Sequence, residues 1–490
     1  MSDEILFNVA PRESRVAIVE NGVAQEVMIE RAGRRGQVGN IYKGRVTRVL
    51  PGMQAAFVDI GLQRSAFLHA GDLSRPALED GEPGEQAMET RPINRLLHEG
   101  QQIVVQVIKD PIGSKGARIT TSLSLPSRYL VLLPDHHVHG VSARITDMAE
   151  RDRLRQILLA MDPDSEHGYI VRTNGEGQEH ETLAEDVRFL GKLWKHLQKA
   201  IRQAAVGECV YEEPGLALRV LRDMLRENVA RVRVDDVAST DAMRRFATRF
   251  MPELAGRIEH YDGERPIFDL YGVEDELQRA LQQQVALKSG GSLVIETTES
   301  MSTIDVNSGS YVSRRNLEET VFRTNLEAAQ ALARQLRLRN LGGIIIIDFI
   351  DMHDEDHKRQ VLRTLEKALA TDHVKTSVYA ISELGLVQMT RKRTTESLVR
   401  QLCETCPACS GRGYRKSVET VGLEVYREIS RAVRQFEAER LLVLAHPAVV
   451  DWIVDEDSLA LADLEAAIGK PIALQSEDQY PQEQFDVVLL

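Results

Sequence analysis

The chain has 490 residues, of which 43% are hydrophobic and 28% charged, and its formal net charge is −13. This composition is typical of a globular protein of about three domains, and no apolar run is long enough for a signal peptide or a membrane span. Taken alone, the acidic net charge argues weakly against nucleic-acid binding, but basic clusters at 31–36, 314–316 and 390–395 are compatible with a local binding site for a polyanion. Only four cysteines occur and three of them are clustered within residues 403–409, which favours a cytoplasmic, reducing location over a secreted disulfide framework.

The first 125 residues are rich in short β-strands. Segment 12–31 predicts a β-hairpin, because two β-rich runs flank Asn21 and Gly22, a favoured two-residue turn. From 38 to 125, further strands punctuated by glycine predict a small all-β barrel.

Helices and strands follow each other in the middle of the chain. Segment 126–213 contains the strand GYIVRT and a long helix that begins near Ala184. The sequence YEEPG at 211–215 indicates a domain boundary, and the alternation continues beyond it to about Ile295. The last residues, QFDVVLL, predict a C-terminal strand.

Segment 292–390 has the most regular pattern. STIDV and IIIIDFI predict two strands, and residues 317–339 predict the helix between them, with Asn316 and Glu319 as a capping box. The two strands of such a βαβ unit are parallel and commonly adjacent. The isoleucine run predicts that the second strand is buried on both faces.

Each of these two strands contains an aspartate near its carboxyl end, Asp305 in the first and Asp348 in the second. Because functional sites of open α/β sheets lie beyond the carboxyl ends of the strands, we expect the two carboxylates to face each other there. Two unpaired buried carboxylates would repel each other, and a Mg²⁺ ion, which prefers carboxylate, water and phosphate oxygens, removes that penalty. Asn307 could orient a carboxylate or hydrogen-bond a phosphate. The sequence therefore predicts a magnesium site.

Other interpretations of the aspartates stay open. A single aspartate at a strand end is usually a cap or turn residue, and a structural salt bridge to Arg314 or Arg315 is the other alternative. Asp351 is a rival of Asp348, but it is better explained as a loop residue before a helix that begins near Asp354.

Three cysteines lie in CETCPACSGRG, at 403–413. Cys406 and Cys409 have the C-x-x-C spacing of a zinc-binding turn, and structural zinc takes four ligands. Cys403 is a third candidate ligand, and a second chain could complete the site across a two-fold axis. A thioredoxin-like redox pair is the alternative. The isolated Cys209 is expected to be a small buried hydrophobic residue.

The predicted barrel contains Phe57 and Phe67, with Lys109 and Lys115 nearby. Aromatic side chains beside cations form a stacking platform for single-stranded bases. Most aromatic residues of a barrel, however, belong to its core. The pattern leaves both interpretations open.

Arg172 and Thr173 end the strand GYIVRT at a glycine-bearing loop. A guanidinium fork beside a hydroxyl suits a terminal phosphate. The alternative is a solvated arginine at a strand end.

Assembled in order, the motifs of this chain closely resemble those of the ribonuclease E/G family of bacterial endoribonucleases. They are GNIYKGRV, LPGMQAAFVDIG, SKGARITT, SRYLVLLP, DVNSG, RQLRLRNLGGIIIIDFIDM, GLVQMTRKR and CPACSGRG, and they span nearly the whole chain. The length, without a long scaffold tail, resembles that of the short family members. The resemblance implies a multidomain α/β and β architecture of an RNase H-like subdomain (1–37 and 218–282), an inserted S1 (OB-fold) barrel (38–125), a 5′-sensor region (126–217), a DNase I-like α/β catalytic subdomain (283–402), a zinc link (403–413) and a small C-terminal α/β domain (414–490).

The resemblance also implies residue roles. The family's catalytic residues fall on Asp305, Asn307 and Asp348, of which the two aspartates bind Mg²⁺, and its zinc ligands, shared between chains, fall on Cys406 and Cys409. The remaining implied sites are RNA-binding residues at Phe57, Phe67, Lys109 and Lys115, and a 5′-monophosphate pocket at Arg172, Thr173, the main chain of Val131 and Lys375. At Lys375 a longer family member has arginine, so the charge is kept but the bidentate fork is lost.

The function implied is a Mg²⁺-dependent endoribonuclease that hydrolyses single-stranded RNA to 5′-phosphate and 3′-hydroxyl ends and favours 5′-monophosphorylated substrates. Ribosomal RNA precursors and mRNA are the expected partners, and the zinc link implies a cytoplasmic homodimer or a higher oligomer. A non-catalytic RNA-binding protein with structural acids is the rival hypothesis, and a metal-dependent DNase is a weaker one.

Overall fold

The fold is given by a computed structural model, which describes residues 3–73, 92–111, 115–161, 167–225, 228–309, 317–382 and 384–490. The chain divides into two compact units, Met1–Gln401 and Leu402–Leu490. Within the described segments, none of the helices combines the length and the apolar character needed to cross a membrane.

The N-terminal strands confirm the predicted hairpin. Asn21 and Gly22 have φ of 52° and 76°, as a type I′ turn requires, and the turn sets the register of an antiparallel pair. The three strands are β1 (Asp3–Ala10), β2 (Glu13–Glu20) and β3 (Val23–Arg31).

The next strands form a closed barrel, as predicted for 38–125. The strand order is β4-β5-β6-β8-β7, and pairing of β7 with β4 closes the ring. Val58, Leu68 and Val105 point inward and are buried. The strands are β4 (Ile41–Leu50), β5 (Ala55–Asp59), β6 (Ala66–His69), β7 (Gln102–Lys109) and β8 (Arg118–Thr120).

A four-stranded sheet and two helices follow the barrel. The sheet has the order β11-β12-β10-β9, and Leu183, Leu190 and Leu197 of the long helix α2 lie in its core. The elements are β9 (Leu125–Pro126), β10 (Leu130–Leu133), β11 (His139–Val141), α1 (Met148–Met161), β12 (Gly168–Val171), α2 (His180–Gln203) and β13 (Cys209–Tyr211).

The expectation that Cys209 is buried is wrong. Its side chain is exposed, because β13 is an edge strand that, among the described strands, pairs with β4 of the barrel sheet alone. The thiol donates a hydrogen bond to the main-chain oxygen of Tyr211 at 3.2 Å.

The segment after the boundary at 211–215 returns to the N-terminal sheet. β14 pairs in parallel with β1, so the sheet has the order β15-β14-β1-β2-β3, and the barrel and the four-stranded sheet are inserted between its two parts. The elements are α3 (Leu216–Met224), β14 (Val229–Val234), α4 (Val237–Phe250), α5 (Pro252–Ala255), β15 (Ile258–His260), α6 (Ile267–Leu270) and α7 (Val273–Ala280).

The following sheet contains the predicted βαβ unit. Its order is β16-β17-β18-β19-β21-β20, and β18 and β19 are parallel neighbours joined by α8. The capping residue Asn316 lies outside the described residues, as do Arg314 and Arg315. The elements are β16 (Gln284–Ala286), β17 (Ser292–Thr297), β18 (Met301–Asn307), α8 (Leu317–Leu338), β19 (Gly343–Asp348), α9 (Glu355–Leu369), β20 (Thr376–Val378), β21 (Leu386–Arg391) and α10 (Leu398–Leu402).

The prediction that β19 is buried on both faces is wrong. Ile345 and Ile347 are fully buried in a core shared with α8 and α9, whereas Ile344 is 48% exposed and Asp348 is exposed. Both helices contribute to the core on one face of the sheet, so alternate side chains of β19 face outward. The other face is therefore accessible.

The unit Leu402–Leu490 is a small α/β domain. The order of its sheet is β23-β22-β24, with β22 parallel to β23 and antiparallel to β24, and the predicted C-terminal strand is confirmed as β24. Val421 and Val425 of α11 pack on Leu441 and Val443. The elements are α11 (Val418–Gln435), β22 (Leu441–Ala445), α12 (Pro447–Asp455), α13 (Ser458–Ile468), β23 (Ile472–Ser476) and β24 (Phe485–Leu489).

Candidate functional site

The two strand-end aspartates lie directly opposite each other. Asp305 pairs with Asp348 at the last position of the β18–β19 ladder, where the strands are about 4.8 Å apart. Both residues are on the exposed face, and the alternation along β18 puts Asn307 on that face too. The sequence thus correctly predicts that the two carboxylates meet at the carboxyl ends of parallel strands, although they are not buried.

The local electrostatics are those of an acidic site. Partial burial raises the pKa of the Asp348 carboxyl, and the negative charges of Asp305 and Asp351 raise it further. Asn307 Nδ2 donates to Asp305 Oδ2 at 2.7 Å and orients that carboxylate. Asp351 lies in the loop after β19, as predicted, yet its charge acts on Asp348. A cation between the aspartates would relieve this repulsion.

Two glycines hold the end of β18 in place. A Cβ on Gly309 would lie 2.1 Å from the oxygen of Gly290, and one on Gly291 would lie 2.5 Å from the oxygen of Asn307. Gly309 also has a φ of +69°, which disfavours other residues. This close backbone contact fixes the turn that carries Asn307.

The donor set fits Mg²⁺. Among the described residues, no three His, Cys, Asp or Glu side chains gather into a group that could hold a metal ion by themselves. Mg²⁺ needs no such group, because it is usually bound by one or two carboxylates and completes its shell with water and phosphate oxygens. Asp305 and Asp348 supply that pair on an accessible face.

The barrel carries an aromatic pair on its surface. Phe57 and Phe67 are register partners on β5 and β6, and their half-buried rings meet edge to face with centroids 6.1 Å apart. The interpretation of both rings as barrel core is therefore wrong, because their neighbours in each strand point inward instead. Lys109 and Lys115 are exposed.

The strand register adds two arginines that the sequence analysis missed. Arg48 pairs with Phe57, and Arg118 pairs with Phe67 on one side and with Lys109 on the other. These side chains form a row across the barrel in the order Arg48, Phe57, Phe67, Arg118 and Lys109, which we call the aromatic row. Only the strand pairing could have revealed it, because these residues are distant in sequence. A surface cavity beside the row is lined by Thr47, Arg48, Phe57, Arg64, Ser65 and Gly116.

Arg172 and Thr173 lie at one end of the four-stranded sheet. The Arg172 guanidinium donates to the main-chain oxygen of Ser127 at 2.6 Å and lies 2.7 Å from a carboxylate oxygen of Asp223, and its side chain is 25% exposed. It is therefore anchored and not simply solvated. The Thr173 hydroxyl lies 3.4 Å from the Ser142 hydroxyl.

The other two predicted pocket residues differ in position. Val131 lies in the same sheet, on β10, opposite Ile170 of β12. Lys375 is exposed and precedes β20 in the sheet of the aspartates. Three of the four predicted pocket residues therefore belong to the four-stranded sheet or directly follow it, whereas Lys375 belongs to a different sheet.

Cys406 and Cys409 form a turn suited to metal binding. The Gly413 N–H points at Cys409 Sγ at 3.4 Å, and this bond, with further ones from Gly411 and the Cys406 thiol, lowers the pKa of Cys409. Stabilisation of the thiolate favours the form that binds zinc. Cys403 is exposed, and it does not gather with this pair into a three-ligand group in the described part of the chain. The pair fits one half of a tetrahedral zinc site.

Comparison with known proteins agrees with these features. The family model described as "Ribonuclease E/G family" matches residues 124–394, "S1 RNA binding domain" matches 36–110, and "RNase E/G, Thioredoxin-like domain" matches 405–489. The chain is 52% identical to Ribonuclease G of Salmonella typhimurium (strain SL1344) and of Escherichia coli (strain K12), over the full length of each protein. It is 35% identical to Ribonuclease E of Escherichia coli (strain K12) over 94% of this chain and 43% of that protein. The sequence resemblance is thereby confirmed, and the chain belongs to the ribonuclease E/G family.

Proposed function

We propose that this chain, an endoribonuclease by its family, cleaves single-stranded RNA with a Mg²⁺ ion held by Asp305 and Asp348 and leaves 5′-phosphate and 3′-hydroxyl ends. One observation carries the proposal. The register of β18 against β19 sets the two carboxylates opposite each other at the carboxyl ends of parallel strands, on a face that an RNA backbone can reach.

The residues of the site have distinct roles. Asp305 and Asp348 hold the cation, and Asn307 keeps the Asp305 carboxylate in place through its 2.7 Å hydrogen bond. A Mg²⁺ ion bound there supplies an activated water and charge stabilisation for in-line attack on a phosphodiester. Asn307 is neutral, so it can orient a carboxylate without adding a negative charge that would repel the phosphate.

The aromatic row of the barrel binds the single strand. Stacking of a base on Phe57 or Phe67 contributes about 1–3 kcal/mol per base and does not depend on sequence. The exposed ammonium groups of Lys109 and Lys115 pair with backbone phosphates. Bases that are already paired cannot stack in this way, which supports a single-stranded substrate.

The 5′ end of the RNA binds at the four-stranded sheet. Arg172 and Thr173, with the main chain of Val131, take the 5′-monophosphate, and Lys375 adds a point charge without a bidentate fork. RNA that has already been processed carries this phosphate. Precursors of ribosomal RNA and partly degraded mRNA are the substrates that such a preference selects.

Zinc joins two chains. Cys406 and Cys409 supply two thiolates, and the same pair of a second chain supplies the other two, so that a homodimer forms, alone or within a higher oligomer. The reducing cytoplasm favours such free thiols, so we place the protein there. Native mass measurement tests this step, because the dimer mass should disappear on chelation and in Cys406→Ser. A monomer mass before and after chelation would refute the shared site, and disulfide formation without metal would favour the redox alternative.

The decisive experiment compares Asp305→Asn with Glu296→Gln. Glu296 is an exposed acid of the adjacent strand β17, opposite Thr303, two positions along β18 from Asp305. With a 5′-monophosphorylated oligonucleotide and Mg²⁺, Asp305→Asn should lower kcat at least about 100-fold while RNA binding persists. Glu296→Gln should cleave at the wild-type rate.

Three outcomes would contradict the proposal. Wild-type cleavage by Asp305→Asn would refute the metal assignment. RNA binding by the wild type without any cleavage would favour the non-catalytic RNA-binding alternative, for which the aromatic row would suffice. Equal cleavage of a matched deoxyoligonucleotide would favour the DNase alternative.

A further inference from the structure

Arg172 is held by an acidic side chain from a helix that packs in a different hydrophobic core. Its Nη1 donates to the main-chain oxygen of Ser127 at 2.6 Å and lies 2.7 Å from Oδ1 of Asp223. Asp223 lies on α3, whose apolar residues Val220 and Leu221 pack in the core of the N-terminal sheet. The contact therefore joins the four-stranded sheet to the neighbouring core.

Asp223 is itself fixed by a second guanidinium. Arg222 Nε donates to Oδ1 and its Nη2 donates to Oδ2, each at 3.0 Å, and its Nη1 lies 2.7 Å from a carboxylate oxygen of Glu213. The side chains of Arg222 and Glu213 are 11% and 8% exposed. Burial by itself raises the pKa of Asp223, but the bonds from Arg222 and the charge of Arg172 outweigh it, so the pKa is lowered. Asp223 is a fixed anion.

This anchor is made through Nη1 of Arg172. A guanidinium has five N–H donors; Nη1 donates to Ser127 and lies 2.7 Å from Asp223. Within the described part of the chain, no hydrogen bond runs from Nε or Nη2 to a protein atom. These two nitrogens form the edge that takes two oxygens of one phosphate side by side. The anchor fixes the plane of the group and leaves that edge available.

We infer that Asp223 is a positioning residue for recognition of the RNA 5′-monophosphate, because it holds Arg172 with Nε and Nη2 presented to the phosphate. The inference rests on the proposed role of Arg172 and deepens it. An arginine without such an anchor loses its rotamer freedom only on binding, which costs about 5- to 30-fold in affinity. Because Asp223 already restricts the rotamers of Arg172 in the folded protein, RNA binding does not incur this loss of rotamer freedom.

The test uses two RNA oligonucleotides that differ only in a 5′-monophosphate or a 5′-hydroxyl group. The ratio of their kcat/KM values reports 5′-end recognition. In Asp223→Asn this ratio should fall about 5- to 30-fold while kcat/KM on the hydroxyl substrate is unchanged. Arg172→Ala should bring the ratio to about one, and adding Asp223→Asn to it should change nothing further, because both act through one group.

A matched control is Glu13→Gln. Glu13 accepts a hydrogen bond from the Arg31 guanidinium of β3 at 2.7 Å and does not contact Arg172. Its ratio should equal that of the wild type. If Asp223→Asn does not fold, Asp223→Glu carries the test, because it keeps the charge and displaces it by one methylene, which should lower the ratio by less.

The outcomes separate this inference from the function on which it rests. A wild type with a ratio of one refutes 5′-phosphate sensing and the inference with it. A wild type that discriminates, with an unchanged ratio in Asp223→Asn, refutes only the inference. A raised ratio also refutes it, because Asp223 would then compete with the phosphate. An equal loss on both substrates would show a merely structural role.

Discussion

The ion pair between Arg391 and Asp372 is buried, and its burial determines how much free energy of unfolding should be lost when one partner is removed. The two side chains are 1% and 0% exposed, and Nε and Nη2 of Arg391 lie 2.7 and 3.3 Å from the carboxylate oxygens. Arg391 lies at the end of β21 and Asp372 precedes β20, so the pair joins two strands of the sheet that carries the proposed catalytic acids, at the end of β19 opposite to Asp348. Asp372→Ala would leave the guanidinium buried, and among the described residues its remaining hydrogen-bond partners would be Asn340 and the Leu341 oxygen.

The expected loss is about 3–5 kcal/mol in the free energy of unfolding, because an uncompensated charge remains in the interior. Asp372→Ala combined with Arg391→Met should recover most of it, since an apolar replacement of both partners is close to neutral. Asp356→Ala is the control. Its partner Arg359 is 73% exposed and Asp356 is 65% exposed, so this variant should cost less than about 1 kcal/mol.

Urea titration followed by far-ultraviolet circular dichroism measures these differences, because α8 and α9 pack on the same sheet. The reasoning fails if Asp372→Ala costs no more than Asp356→Ala. It also fails if the double variant is less stable than Asp372→Ala, because the penalty would then not come from an unpaired charge.

Three further predictions concern RNA binding, the active site and pH. Phe57→Ala should weaken binding of a 5′-hydroxyl single strand by about 1–3 kcal/mol in fluorescence anisotropy, and unchanged affinity would exclude the ring as a stacking platform. Gly309→Ala should lower the cleavage rate at least about 10-fold, since its Cβ would force the Asn307 turn away from Gly290, and a wild-type kcat would show that the turn is not needed. Burial raises the pKa of Glu26 to about 7 from 4.5, so the folded state binds the extra proton, and the stability that Glu26 contributes is lost as the pH rises from about 4.5 through 7. Glu26→Gln should therefore become more stable relative to the wild type by on the order of 3 kcal/mol between pH 5 and pH 8 in urea titrations, and parallel pH curves would contradict this.

The sequence predicted the position of the acids because few arrangements of a βαβ unit are available. Once two strands are parallel neighbours, their carboxyl ends lie side by side, and this places Asp305 opposite Asp348. The burial of β19 was mispredicted because four isoleucines do not reveal that both covering helices contribute to the core on one face of the sheet, which leaves Ile344 exposed. The composition of a strand shows that its residues prefer burial, but it does not show which elements pack on each of its two faces.

Contacts between distant segments were beyond sequence reasoning. Arg172 and Asp223 are 51 residues apart and belong to different cores, and no local pattern links them. The outward direction of Phe57 and Phe67 was equally undecided, because alternate residues of a barrel strand are equivalent until one face is filled. Cys209 was wrongly expected to be buried because an edge strand cannot be recognised from its own residues.

The parallel pairing of β1 with β14 also constrains the order of folding during synthesis. Asp3 pairs with Val229, so β1 leaves the ribosome well before its partner, which lies more than 200 residues later in the chain. At about 5–20 residues per second, that delay is about 11–45 s. The barrel, whose strands lie between Ile41 and Thr120, can close long before then. Until β14 emerges, one edge of the nascent hairpin sheet stays unpaired, so this family member should depend most on chaperones during the middle of its translation.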